Sequence, residues 1–312
     1  MGDPRRRGVG IRFIPREALP NHKEISGGKM IGVITGSGIP GASGPPEDTP
    51  FGKTSGPLVM REVAGKPVLF LGRHGPGHAL PAHRIPHRAN IWALYAKGAS
   101  AILSVASVGG IDQSLTPGDY LVLDDILDFT WPPSFYEGPG GPKVPQGDDL
   151  PSALINNGVV VHANFTEPFC PALRKTLLAA LKDMGLSVRD GGTYAQTRGP
   201  RLESAAEIKA LGILGAHVVG MTMGSEASLA RELGVCFVGL AVVANMAAGV
   251  RGAQPAGSEI TEAMARIEKE IAIVIEEFVA RASPEEAERC ACREHPYAGI
   301  ASKAWREKLG KG

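Results

Sequence analysis

The sequence predicts an α/β fold: a single domain with a central mixed β-sheet flanked by helices. Three observations carry that prediction. Short apolar runs of strand length alternate with segments of helical period. The apolar runs end repeatedly in glycines and small polar residues, as at Thr35-Gly36-Ser37-Gly38, Arg73-His74-Gly75 and Ala106-Ser107-Val108-Gly109-Gly110. Several connections are short enough for hairpins, which makes the sheet mixed rather than purely parallel.

In chain order, residues 30–34 are the first expected strand. The turn after it contains Gly36-x-Gly38-x-x-Gly41, formally a dinucleotide-binding spacing. That motif needs a helix to begin at the loop, and Pro40, Pro45 and Pro46 forbid one. A small-residue turn with free backbone N–H groups and the Ser37 hydroxyl is left, which suits an oxyanion. Residues 67–71 form a second strand and deliver Arg73 and His74 into a glycine-rich loop. A guanidinium offers phosphate forked donors, with an ordinary surface ion pair as the alternative. His78, His83 and His87 follow at irregular spacing on a proline-broken segment, which is no one-face metal pattern.

Residues 89–96 then read as a helix, 101–105 and 120–123 as strands, and 172–184 as a helix bounded by Pro171 and Gly185. The stretch GGTYAQTRGPRLESAAE, residues 191–207, joins a strand through a sharp Gly199-Pro200 turn to a helix start. Such a shape presents polar side chains to a ligand. It is followed by a helix over 205–211, a strand over 217–220 and a helix over 226–233 closed by Gly234. The most apolar strand, 235–243, ends at Asn245. A long amphipathic helix over 259–280, with Ser258 as N-cap, closes the domain.

Composition narrows the function. Basic and acidic residues nearly cancel, 33 against 32, which argues against nucleic acid or an anionic membrane as a bulk partner. No apolar run is long enough to span a bilayer. The four cysteines give no disulfide framework and suit a reducing cytoplasm. Residues 1–29 are basic and unpatterned, and a disordered leader is expected there. The domain is expected over 30–282, with a loosely attached helical tail over 283–312. Within that tail, Cys290-x-Cys292 and His295 lack a second ligand pair. An exposed helix end is therefore the preferred reading, and no metal is expected.

The ordered set TGSG at 35–38, RHG at 73–75, ANIWAL at 89–94, GGI at 109–111, SFYEG at 134–138, TEPFCP at 166–171, GPRLES at 199–204 and VGMT at 219–222, with the strand end at Asn245, resembles a known family. It is similar to the trimeric purine nucleoside phosphorylases, and specifically to their methylthioadenosine phosphorylase branch, over about residues 30–281. The resemblance implies a nucleoside phosphorylase-like fold and a reaction in which phosphate attacks C1′ of a purine nucleoside. It places phosphate on Ser37, Arg73, His74, the backbone at Ala106 and Ser107, and Thr222. Met221 would pack under the ribose, with Ala247 nearby. Glu203 and Asn245 would recognise the base and assist its departure. His162 would reach a neighbouring subunit's site, which implies a homotrimer, and Ile260 would favour a 5′-methylthio group. No cofactor is implied beyond inorganic phosphate as co-substrate.

Glu203 and Asn245 also bear on the substrate. The adenine-specific branch has Ser and Asp at these positions, and the 6-oxopurine enzymes have Glu and Asn. A carboxylate accepts from N1–H of a 6-oxopurine while an amide donates to O6 or N7. Against adenine N1 the carboxylate would leave two acceptors facing each other, costing about 1–3 kcal/mol. Three departures from the family pattern stand out: Ala106, Arg198, and Gly224-Ser225, the last expected to free the loop after Thr222. The rival readings are an adenine-specific S-methyl-5′-thioadenosine phosphorylase, a nucleoside hydrolase, a purine-binding pseudoenzyme and, on the glycine spacing alone, a dinucleotide oxidoreductase.

Overall fold

The computed structural model describes residues 12–13, 30–36, 44–138, 140–145, 149–254 and 257–293. The chain runs through β1 (Arg12–Phe13), β2 (Met30–Thr35), a small hairpin of β3 (Asp48–Thr49) and β4 (Gly52–Lys53), β5 (Val59–Val63) and β6 (Lys66–Gly72). Next come α1 (His87–Ala96), β7 (Ala99–Gly110), β8 (Tyr120–Val122), β9 (Asp125–Asp128), α2 (Leu150–Asn156), α3 (Pro171–Asp183), β10 (Val188–Asp190) and β11 (Thr193–Gln196). The order closes with α4 (Ala205–Ile213), β12 (Val218–Gly220), α5 (Met223–Glu232), β13 (Cys236–Met246), α6 (Gly257–Arg281) and α7 (Pro284–Glu288).

The large sheet is mixed, as the short connections predict. Strands β6, β2, β7 and β13 are parallel neighbours, and so are β12, β11 and β9. Where the two groups meet, β12 runs antiparallel to the end of β7. Helices cover both faces. Ile91 and Leu94 of α1 pack with Met223 and Leu229 of α5 in one core layer, while Leu177 and Leu181 of α3 pack with Val274 and Phe278 of α6 in the other. The central strands are buried on both faces, which is why their sequences read as unbroken apolar runs.

Several boundaries differ from the sequence expectation, and two of the differences have a clear physical reason. β7 does not stop at residue 105 but continues to Gly110, because β13 and then β12 supply ladder partners to its small-residue end. A Cβ at Gly109 would lie 3.1 Å from Val219 Cγ1, so glycine lets the neighbouring strand close in. α5 starts at Met223 rather than 226. Gly224 and Ser225 are poor helix formers, but Gln196 holds this turn: its Oε1 accepts from Ser225 N at 3.1 Å and its Nε2 donates to Ser225 Oγ at 2.8 Å. The segment expected to be freer is therefore a pinned helix start. α6 begins at Gly257, one residue before the expected cap Ser258.

Parts of both terminal segments are described as well. Arg12 and Phe13, within the expected leader, pair antiparallel with Glu62 and Arg61 of β5; the rest of 1–29 lies outside the described residues. After α6, Lys66 Nζ donates to the carbonyls of Val279, Ala280 and Ala282 at 2.8–3.0 Å, capping the helix C-terminus with a cation. Ser100 Oγ donates to the Pro284 carbonyl at 3.2 Å, and Ala287 and Cys292 are buried. Among the described residues no helix is long and apolar enough to cross a membrane.

Candidate active site

Arg73 is the best-anchored residue of the expected set. It follows β6, whose last residue Gly72 pairs with Thr35, so it leaves the sheet beside the β2 exit loop. Its side chain is buried at 1 % exposure. Nε donates to Glu226 Oε1 at 2.5 Å and Nη2 to Glu226 Oε2 at 3.1 Å, a forked pairing. Nη2 also donates to Ser104 Oγ at 2.7 Å, and Nη1 to the Val105 carbonyl at 3.1 Å. Nη1 is the guanidinium nitrogen nearest Gly36, where a Cβ would meet it at 3.7 Å. Ser37, the next residue in sequence, lies outside the described residues. Burial raises the Glu226 carboxyl pKa, but the Arg73 guanidinium outweighs it and holds the group below the usual carboxylate range.

The other phosphate positions gather here through sheet register. Val105, whose carbonyl Arg73 holds, immediately precedes Ala106 (buried) and Ser107 (exposed). β12 runs antiparallel to β7 with Val219 opposite Gly109. β12 ends at Gly220, and Met221 and Thr222 follow it directly into α5. Thr222 is then the N-cap of α5, one turn before Glu226. The α5 N-terminus carries a positive dipole end that favours an anion, while the N–H groups of Thr222, Met223 and Ser225 are held by Tyr194 and Gln196. Tyr194 Oη, fully buried, accepts from Thr222 N at 3.1 Å and Met223 N at 3.4 Å and fixes that terminus.

His74 is neutral in this setting. Its Nδ1 donates to the Leu80 carbonyl at 2.7 Å, its ring stacks on His78 with centroids 4.1 Å apart, and burial lowers its pKa to about 4. Nε2 is therefore an acceptor, able to accept a hydrogen bond from a phosphate hydroxyl. His87, at the start of α1, is also buried; its pKa falls to about 4, chiefly by desolvation, and its Nδ1 has no partner among the described residues.

The pair expected to recognise the base lies further along the same sheet. Asn245 pairs with Gly109 of β7, just after a bulge at Ala244 where two residues of β13 oppose one of β7. Its Nδ2 donates to the Met246 carbonyl at 2.8 Å, which leaves a second N–H and the carbonyl oxygen as the groups a ligand would meet. Glu203 is half-buried, and its Oε1 accepts from Thr197 Oγ1 at 2.5 Å, closing the 197–203 loop on itself. The two chain segments touch: a Cβ on Gly249, beyond Asn245, would meet Ala205 Cβ at 2.8 Å, just after Glu203. Ala247 is buried and donates its N–H to the Gly110 carbonyl at 2.8 Å. Met221 lies between the two halves, against Gly199, where a Cβ would meet its sulfur at 2.4 Å. From Ser104, which holds Arg73, to Gly109, which pairs with Asn245, β7 advances five residues or about 17 Å.

Neither His162 nor the departure Arg198 joins this cluster. His162 is exposed on the segment before α3, and Arg198 is exposed after β11. The Ile260 side chain lies outside the described residues. Conversely, reading the sequence missed Glu226, Ser104, Tyr194 and Gln196, all of which hold the anion side in place. Only Glu226 left a trace, as an acid in the first turn of α5.

Comparison with known proteins agrees with this geometry. A family model described as the phosphorylase superfamily matches residues 30–280. The 6-oxopurine nucleoside phosphorylase of Pyrococcus furiosus is 40% identical over 271 residues, covering 85% of this chain and 96% of that protein. The S-methyl-5′-thioadenosine phosphorylase of Pyrococcus abyssi is 34% identical, with 84% and 95% covered. Among solved structures, the methylthioadenosine phosphorylase of Schistosoma mansoni in complex with tubercidin superposes with a TM-score of 0.70 at 26% identity, covering 83% of this chain and 95% of that one.

Proposed function

The chain belongs to the phosphorylase superfamily, and from that premise we propose that it cleaves 6-oxopurine nucleosides with inorganic phosphate, releasing the free base and a ribose 1-phosphate. It is thus a purine nucleoside phosphorylase, a pentosyltransferase, acting in purine salvage without a further cofactor. The observation that carries this reading is the pairing, along one sheet, of a buried guanidinium beside a helix N-terminus with a carboxylate and an amide at the far end.

Phosphate sits between Arg73 Nη1, the α5 N-terminus at Thr222 and the backbone of Ala106 and Ser107, with Ser37 and the neutral His74 completing the set. One phosphate oxygen attacks C1′ as the C1′–N9 bond breaks, and the bonding pair leaves with the purine. Glu203 accepts from N1–H while Asn245 donates to O6 or N7, where negative charge develops. Donors aimed at developing charge are usually the largest single catalytic contribution.

Adenine specificity is the second reading, favoured by the 34% relatives that act on S-methyl-5′-thioadenosine. The Glu203 carboxylate speaks against it, as does the higher identity to proteins named for 6-oxopurine nucleosides, 40–41%. The test is a chromatographic panel of inosine, guanosine, adenosine, methylthioinosine and methylthioadenosine, each with and without phosphate. Phosphate-dependent release of hypoxanthine or guanine is expected. Preferential release of adenine would install the second reading, and base release without phosphate would make the protein a hydrolase.

The working unit we propose is a homotrimer in the cytoplasm, with His162 completing a neighbouring site. Phe129 at 70% and Trp131 at 93% exposure support a covered face, since large apolar groups left in water are costly. Light scattering during gel filtration should give three chains per particle.

A further inference from the structure

Fold closure gathers all four cysteines of the chain, which are scattered in sequence. Cys170 is the N-cap residue of α3, Cys236 opens β13, and Cys290 and Cys292 follow α7. Their Sγ atoms all lie within 4.8 Å of one another. Cys236 and Cys292 are 3.0 Å apart, Cys290 and Cys292 3.2 Å, and Cys170 and Cys290 3.6 Å, all as free thiols. Four sulfurs around one ion at the zinc–thiolate bond length of about 2.3 Å stand about 3.8 Å apart, so modest adjustment turns the observed cluster into a tetrahedron. We propose that Cys170, Cys236, Cys290 and Cys292 form a closed four-thiolate Zn²⁺ site that rivets the C-terminal segment to the sheet.

The surroundings suit that ion. Cys170, Cys236 and Cys292 are buried and Cys290 is half-buried, so no position is left open to water, the mark of a structural rather than a catalytic zinc. Four thiolates on a divalent ion carry a net double negative charge, which an apolar site must offset. Two positive elements stand ready. The N-terminus of α3 begins at Cys170, and the buried Arg231 of α5 donates through Nη1 to the Cys292 carbonyl at 2.7 Å and through Nη2 to the Glu167 carbonyl. The site is remote from the chemistry. Nine residues of β13, about 30 Å of extended chain, separate Cys236 from Asn245. The metal therefore contributes to folding and not to turnover, and the proposal stands whichever nucleoside is the substrate.

The test uses the full chain, purified anaerobically with a phosphine reductant and no chelator. About one zinc per chain is expected by mass spectrometry of the metal, with loss of zinc on strong chelation lowering the melting temperature and re-addition restoring it. Cobalt added to the stripped, reduced chain should give thiolate charge-transfer bands and the visible bands of a tetrahedral ion. Cys290→Ser, at the least buried ligand, should weaken zinc binding about tenfold or more while phosphorolysis by the zinc-loaded variant is retained. If that variant does not fold, the cobalt spectrum of the unmodified chain decides. A reduced chain that retains no zinc and gives no tetrahedral cobalt spectrum would overturn the proposal. So would peptide mapping that finds these four residues joined as two cystines in protein never exposed to oxidant.

Discussion

The two ends of the site are built differently. At the phosphate end, Arg73 and Glu226 are each almost wholly buried and engage each other, Ser104 and the Val105 carbonyl. At the base end, Glu203 and Asn245 are half-buried, and each has a single side-chain hydrogen bond to its own neighbourhood. The first end is part of the core; the second is a loop and a strand tip leaning against it. Damage to the anion seat should therefore cost stability and activity together, while damage to the base end should cost activity and selectivity without stability.

The strongest way to break this contrast is Glu226→Ala. It leaves a buried guanidinium without its counter-charge and should cost about 3–5 kcal/mol of folding stability, read from denaturant midpoints, along with phosphate affinity. A loss below about 1 kcal/mol would mean the pair is not core. Asn245→Asp comes next. It should lower kcat/KM for inosine-type substrates about a hundredfold or more, with the denaturant midpoint unchanged; equal losses in both would contradict the role assigned to it.

A smaller effect concerns acid. His74 and His87 have folded-state pKa values of about 4 against an ordinary 6.5. Between those values the unfolded chain binds protons that the folded chain refuses, so stability falls as pH drops from 6.5. Glu232 works in the opposite sense. Its burial outweighs its bonds from the Phe135 N–H and the Ser134 hydroxyl and raises its pKa to about 7. Two groups outweigh one, so a net loss of about 2 kcal/mol is expected between pH 6.5 and 4.5. A flat pH–stability profile would show that the histidines are protonated inside the fold. The least effect belongs to Arg201→Ala. This side chain grips Glu207 with two hydrogen bonds but is exposed, so neither kcat/KM nor the denaturant midpoint should move measurably.

Much of this was legible in the residues alone. Apolar runs located the central strands because strands buried on both faces leave that mark, and Arg73, Thr222, Glu203 and Asn245 stood out at strand ends or beside helix starts. What escaped was whatever depends on distance along the chain. Glu226 meets Arg73 across 153 residues, and no local pattern announces it. The start of α5 was hidden because its helix-poor residues are held by Gln196, a side chain from another strand. Cys290-x-Cys292 looked incomplete because its companions lie 56 and 120 residues away. Local propensity marks elements; only closure of the sheet decides which side chains become neighbours.

The extra residue at Ala244 acts as a parity switch. Before it, Ala241 and Val243 face one core layer and Val242 the other; after it, Met246 joins the layer of Ala241 and Val243. Odd and even have changed places, and Asn245 is turned to the face opposite Met246 by counting, not by chemistry. The purine recognition proposed for Asn245 thus hangs on the length of one strand. Removing a single alanine would leave every functional group intact and rotate the amide out of reach.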